Sequence, residues 1–363
     1  MITRGLYIHI PFCDHICSYC DFTKFFYDEY KASLYIDQLI KEMEEKKVEN
    51  VSSIYIGGGT PSSLNIAQLE KLLDYLSRFI KDGTPFTIEA NAESLTLEKI
   101  ILLKKYHVNR VSIGVQSFNH NLIKLMNRHH DYIMVKKVID DLVRNGICNI
   151  NCDLIYGLPG EDFEILEDDL NKILSLPITH ISTYGLMINK NTILGNQKIK
   201  ESSQEIYRQQ YDYIFDKLKR HGFNRYEVSN FCKDGFESKH NLIYWNNLEY
   251  YGIGSGASGY LNRIRYDNTK SLDNYLKGKR TISKEEVGIQ EEEFYYLMLK
   301  LRLENGFSLS EFKKIFKYDF IEKYKNQFNS LVNKHLIELN GDNLKITDEN
   351  LYIMDYILDK LLF

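Results

Sequence analysis

The sequence lacks the features that mark membrane, secreted or nucleic-acid-binding proteins. Of 363 residues 5 are proline, 44% are hydrophobic and 26% are charged, which is the composition of a soluble globular protein. No apolar run approaches the roughly 18 residues of a spanning helix, and no signal peptide precedes the first predicted strand. We therefore expect a cytoplasmic protein without a transmembrane segment. Lysine- or arginine-rich blocks are also absent, and with a net charge of -4 nothing favours a nucleic-acid surface.

Three of the six cysteines lie close together near the start, with the spacing C-x3-C-x2-C at Cys13, Cys17 and Cys20. In a reducing compartment such a group indicates metal binding or catalysis more than disulfides. Three thiolates suit a 4Fe–4S cluster with one open iron, whereas structural zinc requires a fourth ligand. Both interpretations remain open from the spacing alone. Four side chains could supply the fourth zinc ligand: His9, Asp14, His15 and Asp21.

Strand and helix patterns alternate over the first two thirds of the chain. The predicted strands are Gly5–Ile10, Val51–Ile56, Phe86–Ala90, Arg110–Gly114, Asn149–Ile155 and His180–Tyr184. The predicted helices are Glu29–Lys47, Ile66–Ile80, Leu97–Tyr106, Asn119–Met126, Tyr132–Asn145, Phe163–Leu174 and Gln204–Arg220. This alternation predicts an α/β fold of parallel strands, wrapped as a partial (β/α)6 barrel of the TIM type. Glu89, Gln116 and Asp153 lie at or near the carboxyl ends of their strands, where barrel active sites form.

The pattern changes after Cys232. We predict a barrel core over residues 1–232, a connecting segment over 233–285 and a C-terminal helical module over 286–363. The runs Ile337–Leu339 and Leu344–Ile346 flank Gly341-Asp342 and predict a hairpin, so the last module is mostly helical and resembles a winged helix.

The cysteine motif after a first strand, with Gly57-Gly58-Gly59-Thr60-Pro61 after the second, resembles the radical S-adenosylmethionine superfamily. Within this superfamily, four further stretches resemble the oxygen-independent coproporphyrinogen III oxidase family. They are the two parts of the cysteine region, Tyr7 to Cys13 and Cys17 to Phe22, together with Ser112 to Phe118 and Asp153 to Pro159. The resemblance implies a 4Fe–4S cluster on the three cysteines. It also implies that S-adenosylmethionine, on the open iron, is cleaved to a 5′-deoxyadenosyl radical.

The family's cofactor site transfers to this sequence by position. Gly58, Gly59 and Thr60 would let the backbone approach the methionine amino group, because glycine has no side chain there. Arg128 would pair with the methionine carboxylate. The other implied cofactor-binding residues are Tyr7, Tyr19, Glu89, Gln116, Asp153 and Gly185.

Three features resemble the haem-chaperone branch of that family, the HemW-like proteins, more than its decarboxylating enzymes. Phe22 stands where the decarboxylases carry a further cysteine, and only twelve residues precede Cys13. The segment His240-Asn241-Leu242-Ile243-Tyr244-Trp245 matches that branch's H-N-x-x-Y-W motif. The resemblance makes His240 a candidate haem-iron ligand, with Cys232 as an alternative. Cys148 and Cys152 are expected to be core thiols beside a buried strand.

The main hypothesis is therefore a haem-binding chaperone that retains the cluster and the S-adenosylmethionine site and passes haem to acceptor proteins, membrane haemoproteins among them. The alternative is an oxidative decarboxylase that converts coproporphyrinogen III to protoporphyrinogen IX. A zinc protein without radical chemistry is a third possibility. Under the first two hypotheses the partners are haem or another porphyrin and an electron donor.

Overall fold

The computed structural model describes residues 4–197 and 199–362 of the chain. The strands are β1 (Arg4–Ile10), β2 (Phe12–Cys13), β3 (Phe25–Phe26), β4 (Val51–Gly58), β5 (Phe86–Ala90), β6 (Arg110–Gln116), β7 (Asn149–Tyr156), β8 (His180–Gly185), β9 (Asn224–Glu227), β10 (Asn230–Cys232), β11 (Tyr250–Ile253), β12 (Ser258–Leu261), β13 (Ile264–Asn268), β14 (Thr281–Glu286), β15 (Phe307–Ser308), β16 (Ile337–Asn340) and β17 (Asn343–Ile346). The helices are α1 (Glu29–Glu45), α2 (Ile66–Ser77), α3 (Leu97–Lys105), α4 (His120–Leu125), α5 (Tyr132–Arg144), α6 (Phe163–Leu174), α7 (Ile193–Asn196), α8 (Gln204–Arg220), α9 (Lys239–Trp245), α10 (Leu272–Leu276), α11 (Ile289–Lys300), α12 (Leu309–Phe316), α13 (Phe320–Lys323), α14 (Lys325–Asn333) and α15 (Met354–Leu362).

Six parallel strands, β1 and β4 to β8, form the centre of a twelve-stranded sheet, as the alternating pattern predicts. Their apolar side chains, such as Ile8 and Ile54, are fully buried because helices cover the sheet. Each crossover helix begins at a polar cap. For example, Asn65 accepts from the backbone N–H of Gln68 in a complete capping box at the start of α2. The predicted partial barrel is confirmed.

The segment after Cys232 extends this sheet. Strand β11 pairs in parallel with β1, and β12 to β14 continue the sheet as antiparallel neighbours. A buried carboxylate on α1 fixes the extension in place. Glu42 accepts hydrogen bonds from the Gly254 backbone N–H (2.9 Å), Asn268 Nδ2 (2.7 Å) and the Tyr275 hydroxyl (2.5 Å). The connecting segment is therefore part of the barrel wall.

The C-terminal part has its own apolar core, formed by residues such as Leu297, Phe312 and Leu344. Helices α11 to α15 surround a three-stranded sheet in the order β15-β17-β16, which contains the predicted hairpin. The buried guanidinium of Arg225 on β9 pairs with Glu304 at 2.6 Å and joins this part to the barrel. No helix among the described residues is both long and apolar enough to cross a membrane.

The free cysteines outside the N-terminal motif occupy different environments. Cys152 in β7 is buried, as predicted, and Cys232 in β10 is also buried. The prediction for Cys148 is wrong, since this thiol is exposed. It lies one residue before β7, where the chain is still at the surface.

Candidate functional site

A cavity of about 360 Å³ lies at the carboxyl ends of the parallel strands, the edge at which barrel enzymes place their active sites. The predicted site residues that line it are Cys13, Cys17, Tyr19, Cys20, Gly58, Gly59, Thr60, Glu89, Gln116, Arg128, Asp153 and Gly185. Two predicted site residues, Tyr7 and His240, are not among the lining residues. The fold thus brings most of the predicted residues to one place, although their roles stay predictions.

The three cysteines lie on a loop held against the glycine-rich turn. Strand β2 ends at Cys13 and pairs with β3, which closes the loop. Cys13 Sγ accepts a hydrogen bond from Thr60 Oγ1 at 3.4 Å, and Cys17 Sγ lies 3.6 Å from Arg128 Nη1. Burial raises the pKa of Cys13 to about 12 and also raises the pKa of Cys20. These thiols are therefore protonated at neutral pH without a metal, which would deprotonate them on binding.

The side chains that could complete a zinc site have other partners. Among the described residues, no group of three or more His, Cys, Asp or Glu side chains gathers where one metal ion could be held. Both ring nitrogens of His9 are hydrogen-bonded, to the Tyr7 hydroxyl and the Thr23 carbonyl. The remaining candidates contact other side chains: Asp14 accepts from Ser63, Asp21 accepts from Asn189, and the His15 ring packs against His129. A cluster fits this arrangement better, because each thiolate binds a different iron atom.

The glycine-rich turn has no space for side chains. A Cβ atom on Gly59 would lie 2.9 Å from Cys13 Sγ, and one on Gly57 would lie 2.9 Å from the Glu89 carboxylate. Gly58 has a φ of +121°, a conformation that favours glycine. The backbone therefore approaches both the cysteine loop and the carboxylate, which agrees with the predicted contact to a ligand.

Two half-buried carboxylates face the cavity below this turn. Glu89 accepts from the Tyr55 hydroxyl (2.6 Å) and from the Gly58 backbone N–H (3.0 Å). Burial raises the pKa of Glu89 to about 7. Asp153 accepts from Asn151 Nδ2 at 2.8 Å, and burial raises its pKa too. Glu89 is therefore close to half-ionised at neutral pH.

Two further cavity side chains keep polar atoms without partners. Gln116 has a left-handed backbone with a φ of +67°, and its buried Oε1 has no hydrogen-bond partner within the described residues. Arg128 donates to Asn91 Oδ1 at 3.1 Å and to the Gly114 carbonyl, but its buried Nε finds no partner in the part of the chain that the structure describes. Because buried polar atoms are normally hydrogen-bonded, these two atoms are available to a ligand of the cavity. With the glycine turn and the cysteines, they fit a cluster and S-adenosylmethionine.

A buried aspartate supports Gln116 from behind. Asp169 on α6 accepts from the Ser117 hydroxyl at 2.5 Å and from the Phe118 backbone N–H at 2.7 Å. These bonds fix the chain immediately after Gln116, in the turn that leaves β6. Asp169 is not recognisable from the sequence, since it lies inside a helix with ordinary amphipathic spacing.

The two polar residues of the H-N-x-x-Y-W segment point in different directions. His240 is 1% exposed, with Nδ1 2.7 Å from Ser53 Oγ and Nε2 2.8 Å from the Tyr244 hydroxyl. Neither nitrogen is open to an iron atom in this arrangement, which weighs against the prediction of an axial ligand. Asn241 lines the cavity instead.

Several lining residues were not predicted from the sequence, among them Asn91, Arg110, Tyr184 and Met187. The mouth of the cavity presents exposed apolar side chains, with Phe22 64% exposed and Met187 75% exposed. Asn91 could have been found from its position directly after β5. No sequence pattern identifies Arg110, because it begins its strand.

The fold and this cavity define a class of protein, the radical SAM superfamily, whose family model matches residues 7–173. The E. coli coproporphyrinogen III oxidase HemN, a radical SAM enzyme, has a similar structure, with a TM-score of 0.88. It covers 99% of this chain and 90% of its own, but only 21% of residues are identical, so this likeness shows the fold alone.

Comparison with curated relatives identifies a family within this superfamily. The heme chaperone HemW of Lactococcus lactis is 39% identical over 99% of this chain and 97% of its own length. The heme chaperone HemW of Bacillus subtilis is 37% identical over 90% of this chain and 89% of its own length. The chain belongs to the HemW family.

Proposed function

We propose that the protein is a haem chaperone that retains a 4Fe–4S cluster and S-adenosylmethionine and transfers haem to acceptor proteins. The observation that carries the proposal is the similarity, over nearly the whole chain, to relatives named heme chaperones. The cavity supports it. An exposed apolar mouth around Phe22 and Met187 suits a flat macrocycle, and the polar interior suits the propionates of haem.

The cavity residues divide the cofactor binding between them. Cys13, Cys17 and Cys20 would hold the cluster. When both are bound, the cluster and S-adenosylmethionine would supply one-electron chemistry at the sulfonium. Gly58 and Glu89 would accommodate the methionine amino group, and Arg128 would bind its carboxylate. Arg128 also contacts Cys17, so one guanidinium would serve both the cluster loop and the ligand.

His240 has no role as an iron ligand in this proposal, because its two nitrogens are engaged within the protein. The proposed site for the macrocycle is the apolar mouth. The identity of the acceptor, a membrane haemoprotein or another protein, and that of the electron donor stay predictions, as does the cytoplasmic location.

Anaerobic reconstitution tests the cofactor part. Iron and sulfide analysis with optical and electron paramagnetic resonance spectra should give about four irons per chain, and S-adenosylmethionine should perturb the spectrum of the reduced cluster. A protein that took up only zinc under these conditions would contradict this part.

Haem transfer tests the chaperone part. The reconstituted protein is loaded with haemin, freed of excess haemin and mixed with an apo-haemoprotein, whose Soret band should appear as haem leaves the chaperone. In parallel, the protein is incubated with coproporphyrinogen III, S-adenosylmethionine and a reductant. Catalytic formation of protoporphyrinogen IX would replace this proposal with the decarboxylase.

A further inference from the structure

The floor of the cavity contains a buried cation that makes no side-chain hydrogen bond or ion pair within the described residues. Arg110 begins β6 and is 5% exposed, yet its side chain lines the cavity. It makes no hydrogen bond and no ion pair to any side chain in the described ranges, and its Nε is buried without a partner. Buried donors are normally hydrogen-bonded, so the free N–H groups of this guanidinium are available to a ligand of the cavity.

The neighbouring carboxylates do not act as direct partners. The β5–β6 register pairs Glu89 with Ser112, which places Arg110 two residues, about 7 Å, below the level of Glu89. The Glu89 oxygens accept from Tyr55 and Gly58, and Asp153 accepts from Asn151. Arg110 helps to lower the pKa values of these carboxyl groups, a smaller effect than burial, but it forms no ion pair with either of them.

A second polar group reaches the same cavity. Asn241 lines it from α9, and its side-chain amide forms no hydrogen bond with any described residue. A guanidinium presents a planar fork of donors that matches a carboxylate, and an amide N–H adds another donor. The residues that would hold the cluster lie at the opposite, carboxyl-terminal ends of the strands.

We propose that Arg110 and Asn241 form a carboxylate-binding position at the floor of the cavity, which takes a propionate of the porphyrin ligand. The identification of the ligand as a porphyrin rests on the proposed function. The porphyrin would enter through the mouth near Phe22 and Met187, with one propionate directed at the Arg110 guanidinium. The floor therefore selects porphyrins that carry a free carboxylate.

Equilibrium titrations of the reconstituted protein test this position. The probes are haemin, haemin dimethyl ester, which has no free carboxylates, and coproporphyrin III. A charge-assisted bond to a buried carboxylate contributes about 1.5–3 kcal/mol, which corresponds to about 10- to 100-fold in affinity. Arg110→Gln should weaken haemin binding by this factor and leave binding of the ester unchanged. Arg110→Lys, which keeps the charge and loses the fork, should fall between Arg110→Gln and the wild type.

One further variant tests the second donor, and one control variant separates an effect on binding from an effect on folding. Asn241→Ala removes the second donor without touching the buried charge, and it should also weaken haemin binding more than ester binding. Arg280→Gln changes another buried arginine, which pairs with Glu45 outside the cavity, and it should not alter the ratio of haemin to ester affinity. Near-ultraviolet circular dichroism and S-adenosylmethionine affinity report on the integrity of each variant.

The outcomes are distinguishable. If the wild type binds haemin and its ester equally, or if both Arg110 variants leave the ratio unchanged, the carboxylate position is refuted while the chaperone proposal stands. If coproporphyrin III binds through Arg110 and haemin does not bind, the position stands and the chaperone proposal fails. If Arg110→Gln weakens S-adenosylmethionine binding as much as haemin binding, Arg110 acts through Glu89 and Asp153, and the inference is wrong.

Discussion

Replacing His240 by alanine should destabilise the protein and leave haem binding unchanged. The imidazole is buried between β4 and α9, where its nitrogens bond to Ser53 at 2.7 Å and Tyr244 at 2.8 Å. Its ring also packs against Tyr55, with centroids 5.1 Å apart. The variant therefore loses two hydrogen bonds and an aromatic contact, and it leaves the buried Ser53 hydroxyl without this partner.

The size of the effect follows from these contacts. Two hydrogen bonds contribute about 1 kcal/mol each, and the unpaired hydroxyl and the lost ring volume add about 1–2 kcal/mol together. The expected loss in the free energy of unfolding is about 3–4 kcal/mol. With an unfolding entropy of about 2 cal/mol/K per residue, the midpoint should fall by about 4–5 °C in a thermal scan. His221→Ala, a change at an exposed histidine, should stay within about 0.5 kcal/mol of the wild type.

The pH dependence gives a second measure of the same side chain. Burial, followed by the nearby Arg110 cation, lowers the pKa of His240 to about 3, against about 6.5 in the unfolded chain. Between these values the unfolded state binds more protons, so stability falls as pH falls below about 6.5. At pH 5 this effect amounts to about 2 kcal/mol. In urea unfolding, His240→Gln should therefore lose about 2 kcal/mol less than the wild type between pH 7 and pH 5.

Haemin titration decides between this structural role and the predicted iron ligand. The alanine variant, measured well below its midpoint, should bind haemin with the wild-type affinity and the wild-type Soret spectrum. A variant that kept its stability within about 1 kcal/mol but lost the Soret shift would refute the reasoning. In that case His240 would have to leave its two partners when haem binds.

Three further predictions concern the cofactor site. Cys17→Ser should reduce the iron and sulfide content after reconstitution to background, whereas the exposed Cys148→Ser should keep the wild-type content. Gly59→Ala should also lose iron, because its Cβ atom would lie 2.9 Å from a cluster cysteine, while Gly83→Ala has open space and should keep it. Normal iron content in the Gly59 variant would show that the cysteine loop can shift. Glu89→Gln should stabilise the protein at pH 8 by about 1–3 kcal/mol. Burial raises the pKa of Glu89 to about 7 in the folded protein, so ionisation of this carboxyl group disfavours folding at any pH above the pKa that it has in the unfolded chain. The gain should vanish near pH 5 in urea unfolding, and an equal gain at both pH values would contradict this account.

The central strands could be predicted from the sequence because they are long and apolar on both faces. β4 and β7 both follow amphipathic helices and are bounded by turn residues, so their local pattern is sufficient. The four strands β11 to β14 were missed for a physical reason. They have four to six residues, include glycines and exposed polar residues, and are stabilised by pairing with β1 and by the buried Glu42. None of these contacts is local in sequence.

Within the site, topology explains which residues could be predicted. Parallel strands end at one edge, so Glu89 and Asp153 had to come together once their strands were assigned. The direction of Arg110 could not be predicted in this way, because a residue at the amino-terminal start of a strand is expected at the far side of the barrel. Its exposure to the cavity depends on the neighbouring side chains leaving room, which only the packed structure specifies.

His240 and Asn241 are neighbours in one motif, but they have different structural environments. Consecutive residues on a helix point about 100° apart, so His240 and Asn241 cannot both face the same cavity from α9. The histidine takes the side that meets β4, where a neutral ring can bridge Ser53 and Tyr244. That bridge fixes a helix of seven residues, which is too short to be rigid alone. The motif therefore combines a buried histidine that holds the helix against β4 with an asparagine that lines the cavity.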